Sequence, residues 1–501
     1  MDEARYTEAR ELLRDCLSAD PGCATLHELL CECLRREGDP GAALAACRKA
    51  TELAPERASA WLETGRTLNN LGRLPAAREA LTKARDLAPD NAEIQHDLAH
   101  VCRRLGDTAA ARAGFETATQ LQPDWAAAWY RLGSLELAAD GFRQAEKCLR
   151  RAVQLDPSNA AILTTLGVAL HRLGRLDEAM DHYRIALQRD ATCTDAWGNL
   201  GIALQEQGEI DEAVAAYRRA LALRPDDFQA GAHLGDALLE VGQPDEALLV
   251  SSKLLRSFPG HSGALATRSI GLMRTGQADG YRELVDFERL ILAVDIAVPE
   301  GFADLEDFNK RLTQHVEQHP SLRYQPTGHA TRFGHHTGNL LRDDKGPVAA
   351  LESAVGDAAR AYENLLPGLG AHPLAASRPR AWQLSLWSVV MRNQGHQLPH
   401  IHPSAWLSGV YYARVPRSIT VTDDKQSGWI EFGRPPAELA GGLDFPVRRF
   451  MPREGLMILF PAYFYHQTIP LESDELRVSL AFDLAPARPG GANMRQARSS
   501  I

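Results

Sequence analysis

The residues best suited to chemistry lie between His400 and Phe482. His400 and His402 flank Ile401; on an extended segment residues two apart project to one side, so both imidazoles can converge on a single ion. Pro399 and Pro403 bracket the pair and disfavour a helix. His466 follows an uninterrupted apolar run, Gly455–Phe460, that fits a strand buried on both faces. Beyond it, Arg477, Ser479 and Ala481 alternate with Val478, Leu480 and Phe482, which sets the first three on one face of a strand. A guanidinium on the inner face of a sheet needs a partner. Either an internal Asp or Glu supplies it, or a ligand carboxylate does, gripped bidentately with a further hydrogen bond from Ser479.

These groups need a β-rich frame. The run Trp406–Val415 is rich in β-branched and aromatic residues, Gly428–Gly433 reads as a short strand, and Trp382–Arg392 as a longer one. Phe302–Gln318 and Val348–Leu366 have helical spacing and would pack outside the sheet. Thr327–Leu341 reads as a loop, which makes His329, His335 and His336 exposed or hydrogen-bonding residues near a pocket wall rather than ligands. Trp406, Trp429, Glu431 and Arg434 are candidates for that wall, and His396, four residues before His400, for orienting a ligand imidazole.

The strings HIHPSAWLSGVYYARVP, GWIEFGRP and GLMILFPAYFYHQTIP…ELRVSLAFDL together resemble the 2-oxoglutarate and Fe(II)-dependent oxygenases, and more narrowly a 2OG-Fe(II) oxygenase family often fused behind tetratricopeptide repeats. The resemblance covers roughly residues 296–486. It implies a double-stranded β-helix, or jelly-roll, with flanking helices. It implies Fe(II) as cofactor, 2-oxoglutarate and O₂ as co-substrates, and hydroxylation as the outcome. Carried across, His400 and His466 would be iron ligands, and Arg477 with Ser479 and Tyr412 would hold the distal carboxylate of 2-oxoglutarate. Most such enzymes have Asp or Glu where this chain has His402. If His402 binds, the site has three neutral ligands; if it does not, two histidines remain. The narrower family keeps histidine at this position, so the resemblance implies His402 as the third iron ligand.

Before residue 292 the chain repeats every 34 residues, with seven complete units starting at His27, Trp61, Gln95, Trp129, Leu163, Trp197 and Gly231. Each has a turn glycine, except at Asp140, then an alanine midway in its second helix, and a closing proline, except at Ala191. This register resembles the tetratricopeptide repeat. It implies an all-α superhelix over 27–264, preceded by a truncated capping unit at 1–26. A partial repeat and connecting helix follow at 265–295, then the oxygenase-like domain at 296–488 and a tail at 489–501. The second helix of the partial repeat should run through Tyr281–Leu290. A groove of this kind usually holds a protein or peptide.

A chain of 501 residues exceeds a single core. Its net charge of −10 argues against nucleic-acid partners. The N-terminus lacks the basic and apolar regions of a signal peptide, and no apolar run approaches the length of a membrane span. The expectation is a soluble cytoplasmic protein whose eight cysteines are small buried thiols. Nothing in the sequence signals an oligomeric state. The functional expectation is a hydroxylase whose repeats present a protein or peptide. Two alternatives remain: a scaffold with an inert oxygenase fold, and a three-histidine iron dioxygenase that does not use 2-oxoglutarate.

Overall fold

The computed structural model describes residues 3–324, 330–342, 344–471 and 473–487. His329 and the tail at 489–501 lie outside them. The chain is an all-α tetratricopeptide array followed by a curled antiparallel β domain of jelly-roll type. One compact unit ends at Ala203 and a second begins at Leu204.

In the first unit, helix Glu3–Ala19 precedes helical hairpins such as Ala58–Asn70 with Leu74–Leu87, and Ala126–Ala138 with Phe142–Leu155. The repeat register has direct physical causes. Ala77 and Ala145 are fully buried where two helices touch, and a Cβ on Gly65 would collide with Leu81. The turn between helices needs a left-handed residue, which Gly72 supplies at φ +71°; Asp140 takes the same conformation at φ +60°. The first position of a unit caps its predecessor. Trp61 Nε1 donates to Pro55 O at 2.7 Å, Gln95 Nε2 to Pro89 O at 2.8 Å and Trp129 Nε1 to Pro123 O at 3.0 Å.

One expectation fails here. Cys31 and Cys47 form a disulfide between the two helices of the first complete hairpin, with Cα atoms 5.4 Å apart. Cys16 is exposed as well, whereas Cys33, Cys102 and Cys148 are the buried free thiols expected. A sequence shows neither the distance nor the facing of two helix surfaces, so the pair was not legible.

The second unit begins within helix Thr194–Gln207 and includes the last repeats as well as the β domain. The helix expected through Leu290 is broken into Ala278–Leu284 and Phe287–Leu290. Asp286 stands between them and accepts from the backbone N–H groups of Glu288 and Arg289, both at 3.1 Å.

Among the described residues ten strands follow: β1 (Leu292–Asp295), β2 (Arg323–Tyr324), β3 (Thr331–His336), β4 (Trp382–Gln397), β5 (Leu407–Arg414), β6 (Ile430–Phe432), β7 (Arg448–Phe450), β8 (Leu456–Pro461), β9 (His466–Thr468) and β10 (Ser473–Pro486). Seven pair antiparallel in the order β1-β8-β5-β10-β4-β3-β2, and three in the order β7-β6-β9. β1 lies in the segment expected to be connecting helix, and β3 in the segment expected to be a loop. Arg332 and Gly334 are out of step against β4, with Phe333 between them at φ +53°, a bulge that hides the strand alternation.

The outer face of the large sheet, with Tyr411, Met457 and Leu480, is fully buried. Helix Leu305–Glu317 packs against it, and Tyr411 donates from its hydroxyl to Asn309 Oδ1 at 2.5 Å. The last repeat hairpin joins the β domain through polar bonds as well. Ser262 Oγ donates to Ala405 O, and Tyr463 Oη to Leu284 O, both at 2.7 Å.

Candidate metal centre

His400 follows the end of β4 and lies opposite His466, the first residue of β9. Each donates its backbone N–H to the other's carbonyl, at 3.1 and 3.0 Å. His402 is anchored by its own N–H to Ala462 O at 2.9 Å. The histidine pair therefore sits on a bridge segment rather than a regular strand, yet it still converges. One ring nitrogen from each of His400, His402 and His466 lies within 4.8 Å of the others. The rings of His400 and His466 are 4.2 Å apart between centroids.

Every Nδ1 in this group already faces an acceptor: Leu398 O at 2.8 Å for His400, Asp483 Oδ1 at 2.7 Å for His402 and Phe464 O at 3.0 Å for His466. A ring nitrogen facing a carbonyl oxygen can only donate, so the proton sits on Nδ1 and the Nε2 lone pair is left for a metal. Burial, with the neighbouring His402, pushes His400 down to about 3. Burial, with His400 and His402, holds His466 well below its ordinary range. Both are neutral near pH 7, the form that ligates.

Arg477 projects from β10 and is 4% exposed. Its Nη1 donates to Gly428 O at 2.7 Å, its guanidinium lies 5.6 Å from the centre of the Tyr412 ring, and its buried Nε has no partner. Among the described residues no carboxylate forms an ion pair with it, so the internal Asp or Glu allowed by the sequence is not there. Ser479 is on the same face and directly opposite Tyr412 on β5. Burial lowers the pKa of Arg477 while Tyr412 opposes that shift. The result is a desolvated cation with an unused donor beside a hydroxyl, which fits a ligand carboxylate.

The other expected wall residues are placed differently. Trp406 is a brace: its Nε1 donates to Leu374 O at 3.1 Å and its ring meets Tyr362 edge to face. Glu431 is opposite Gln467, whereas its neighbour Phe432 is opposite His466. Because strand faces alternate, Glu431 points away from the histidines, and it pairs there with Arg434 at 2.8 Å and Arg449 at 2.6 Å. Neither Arg434 nor Glu431 walls the metal site. Trp429 follows Gly428, with its indole N–H buried and unpartnered. His396 lies beside Phe333, with ring centroids 6.2 Å apart, and is not among the converging histidines. His335 is exposed against Tyr324.

Two residues near the centre escaped the sequence reading. Asp483 continues the alternation of Arg477, Ser479 and Ala481, so period two alone could have found it. Trp387 stacks on His402 at 5.7 Å and on His336 at 6.0 Å. Of the loop histidines, His336 takes the hydrogen-bonding role expected, its Nδ1 meeting Thr337 O at 2.8 Å, but it is buried on β3.

A curled antiparallel sheet that gathers three imidazoles and a lone buried guanidinium defines a jelly-roll protein with a candidate metal centre. Residues 385–483 match the family described as "Putative 2OG-Fe(II) oxygenase". Tetratricopeptide repeat families match residues 1–61 and 71–135, 35–92 and 130–192, and 194–227. The chain thus joins tetratricopeptide repeats to a segment that matches the model of that oxygenase family.

The comparison with curated proteins found no match. Similar solved structures include the Cut9–Hcn1 hetero-tetramer of the APC/C, at 20% identity over 54% of this chain and 53% of that chain, with a TM-score of 0.43. This chain therefore spans about half the length of that relative. YrrB, described as a TPR protein with an unusual peptide-binding site, matches at 24% identity over 37% of this chain and 96% of its own, with a TM-score of 0.33. MamA matches at 25% identity over 33% and 96%, with a TM-score of 0.31.

Proposed function

We propose that the protein is a 2-oxoglutarate- and Fe(II)-dependent oxygenase acting on a protein or peptide held by its repeats. The observation that carries this reading is Arg477, a buried cation with a free donor and, among the described residues, no internal counter-charge, on the same domain as three convergent imidazoles. His400, His402 and His466 would hold Fe(II), which with 2-oxoglutarate and O₂ supplies the oxidising chemistry. Arg477, Ser479 and Tyr412 bind and orient the distal carboxylate of the co-substrate. The apolar sheet interior around Phe432 and Phe460 excludes water from the reacting centre. The repeats supply the surface for a macromolecular substrate, the use for which such arrays are suited.

Anaerobic titration with Fe(II), with and without 2-oxoglutarate, tests the reading. The expected result is a weak visible charge-transfer band that requires both, followed by succinate on exposure to O₂. No band and no succinate would refute it. The all-imidazole ligand set favours one second reading, a three-histidine dioxygenase without 2-oxoglutarate. Consumption of O₂ with an organic substrate and no succinate would select that alternative.

A further inference from the structure

The three histidines are not equivalent, and the difference lies in what each Nδ1 meets. His400 and His466 face backbone carbonyls, whereas His402 faces the carboxylate of Asp483 at 2.7 Å. The same oxygen of Asp483 accepts from Ser408 Oγ at 2.6 Å. Among the described residues no lysine or arginine pairs with Asp483, so its one ionic neighbour is His402.

The frame around the pair is specific. Asp483 on β10 has Ser408 opposite it on β5 and Ser385 on β4, two small residues that leave its carboxylate room. Trp387 covers a face of the His402 ring at an interplanar angle of 23°. The imidazole is therefore held at its edge by a charge and on its face by an indole.

We infer that Asp483 is a positioning residue, which fixes His402 with Nε2 toward the metal and lends the otherwise neutral ligand set its negative charge. The inference rests on the reading of the three histidines as a metal centre. A carboxylate bonded to the far nitrogen of a ligating histidine locks the ring and raises its donor strength. The net charge at the ion is then set through a hydrogen bond instead of a direct bond.

The test uses the full chain, stripped of metal and titrated anaerobically with Co(II), whose visible d–d bands report ligand field and geometry. Asp483→Asn keeps the shape and removes the charge. It should weaken Co(II) binding by about 10- to 100-fold and alter the bands, with far-UV circular dichroism unchanged, while Asp483→Glu should recover part of the loss. In a His402→Ala background Asp483→Asn should have no further effect, because the carboxylate acts through that ring. Wild-type affinity and bands in Asp483→Asn, or an equal loss in both backgrounds, would overturn the inference. Should Asp483→Asn fail to fold, the comparison is made with Asp483→Ala, which also removes the charge and whose wild-type affinity and bands would overturn it equally. If the wild-type chain takes up no Co(II), the metal-centre reading itself fails and the inference falls with it.

Discussion

Arg477 is buried and, among the described residues, has no carboxylate partner, which is why the proposed function gives it an anionic ligand. An unpaired buried cation is destabilising, so Arg477→Met should raise the melting temperature of the ligand-free protein. The same change should weaken 2-oxoglutarate binding by one to two powers of ten, about the worth of a charge-assisted hydrogen bond. Calorimetry on both forms checks the pair of effects, and a lower melting temperature would show that the guanidinium is stabilising as it stands. His400 and His466 give a second prediction. Both are neutral in the fold and have lowered pKa values, so below about pH 6.5 the unfolded chain binds more protons than the native one. Stability of the metal-free protein therefore falls as pH drops from 6.5 toward the folded value of about 3 for His400. Melting curves in chelator across that window should flatten in His466→Asn. At this scale most of the site was legible, since the histidines and the Arg-x-Ser pair announce themselves by type and spacing. Glu431 misled because its facing depends on register with β9, which no local pattern reveals, and Arg434 follows it through their ion pair.

Among the elements, the repeat hairpins were the easiest to read, because each one restates the same packing problem at a fixed period. Asp140 is the informative exception, occupying a left-handed turn where six other repeats have glycine. Asp140→Gly should stabilise the protein by about 1 kcal/mol, measured by urea unfolding, because only a long ion pair to Arg172 at 3.8 Å stands to be lost. β3 was illegible for the opposite reason. Its histidines and glycine carry weak strand propensity, and the bulge at Phe333 breaks the alternation by which a strand is recognised. The segment 278–290 misled through helix periodicity that continues past the point where Asp286 caps a new turn.

On the scale of the whole molecule, the divide between compact units falls at 203/204 and not where the 34-residue register ends. The last repeats share bonds with the β domain, including Tyr463 to Leu284 and Ser262 to Ala405. A fragment starting at residue 296 should therefore aggregate or melt without cooperativity, whereas one starting at 204 should unfold in a single sharp transition; scanning calorimetry of both decides. Sequence periodicity could not reveal this divide, because it reports which residues repeat and not which surfaces are shared. β1 sharpens the point. It pairs Leu292–Asp295 with Leu459–Leu456 and covers the edge of β8. In evolutionary terms the joint is a shared strand rather than a linker. An array can gain or lose hairpins at its far end, but a recombination that swaps everything before residue 296 takes an edge of the sheet with it, so the β domain and its nearest repeats must be inherited together.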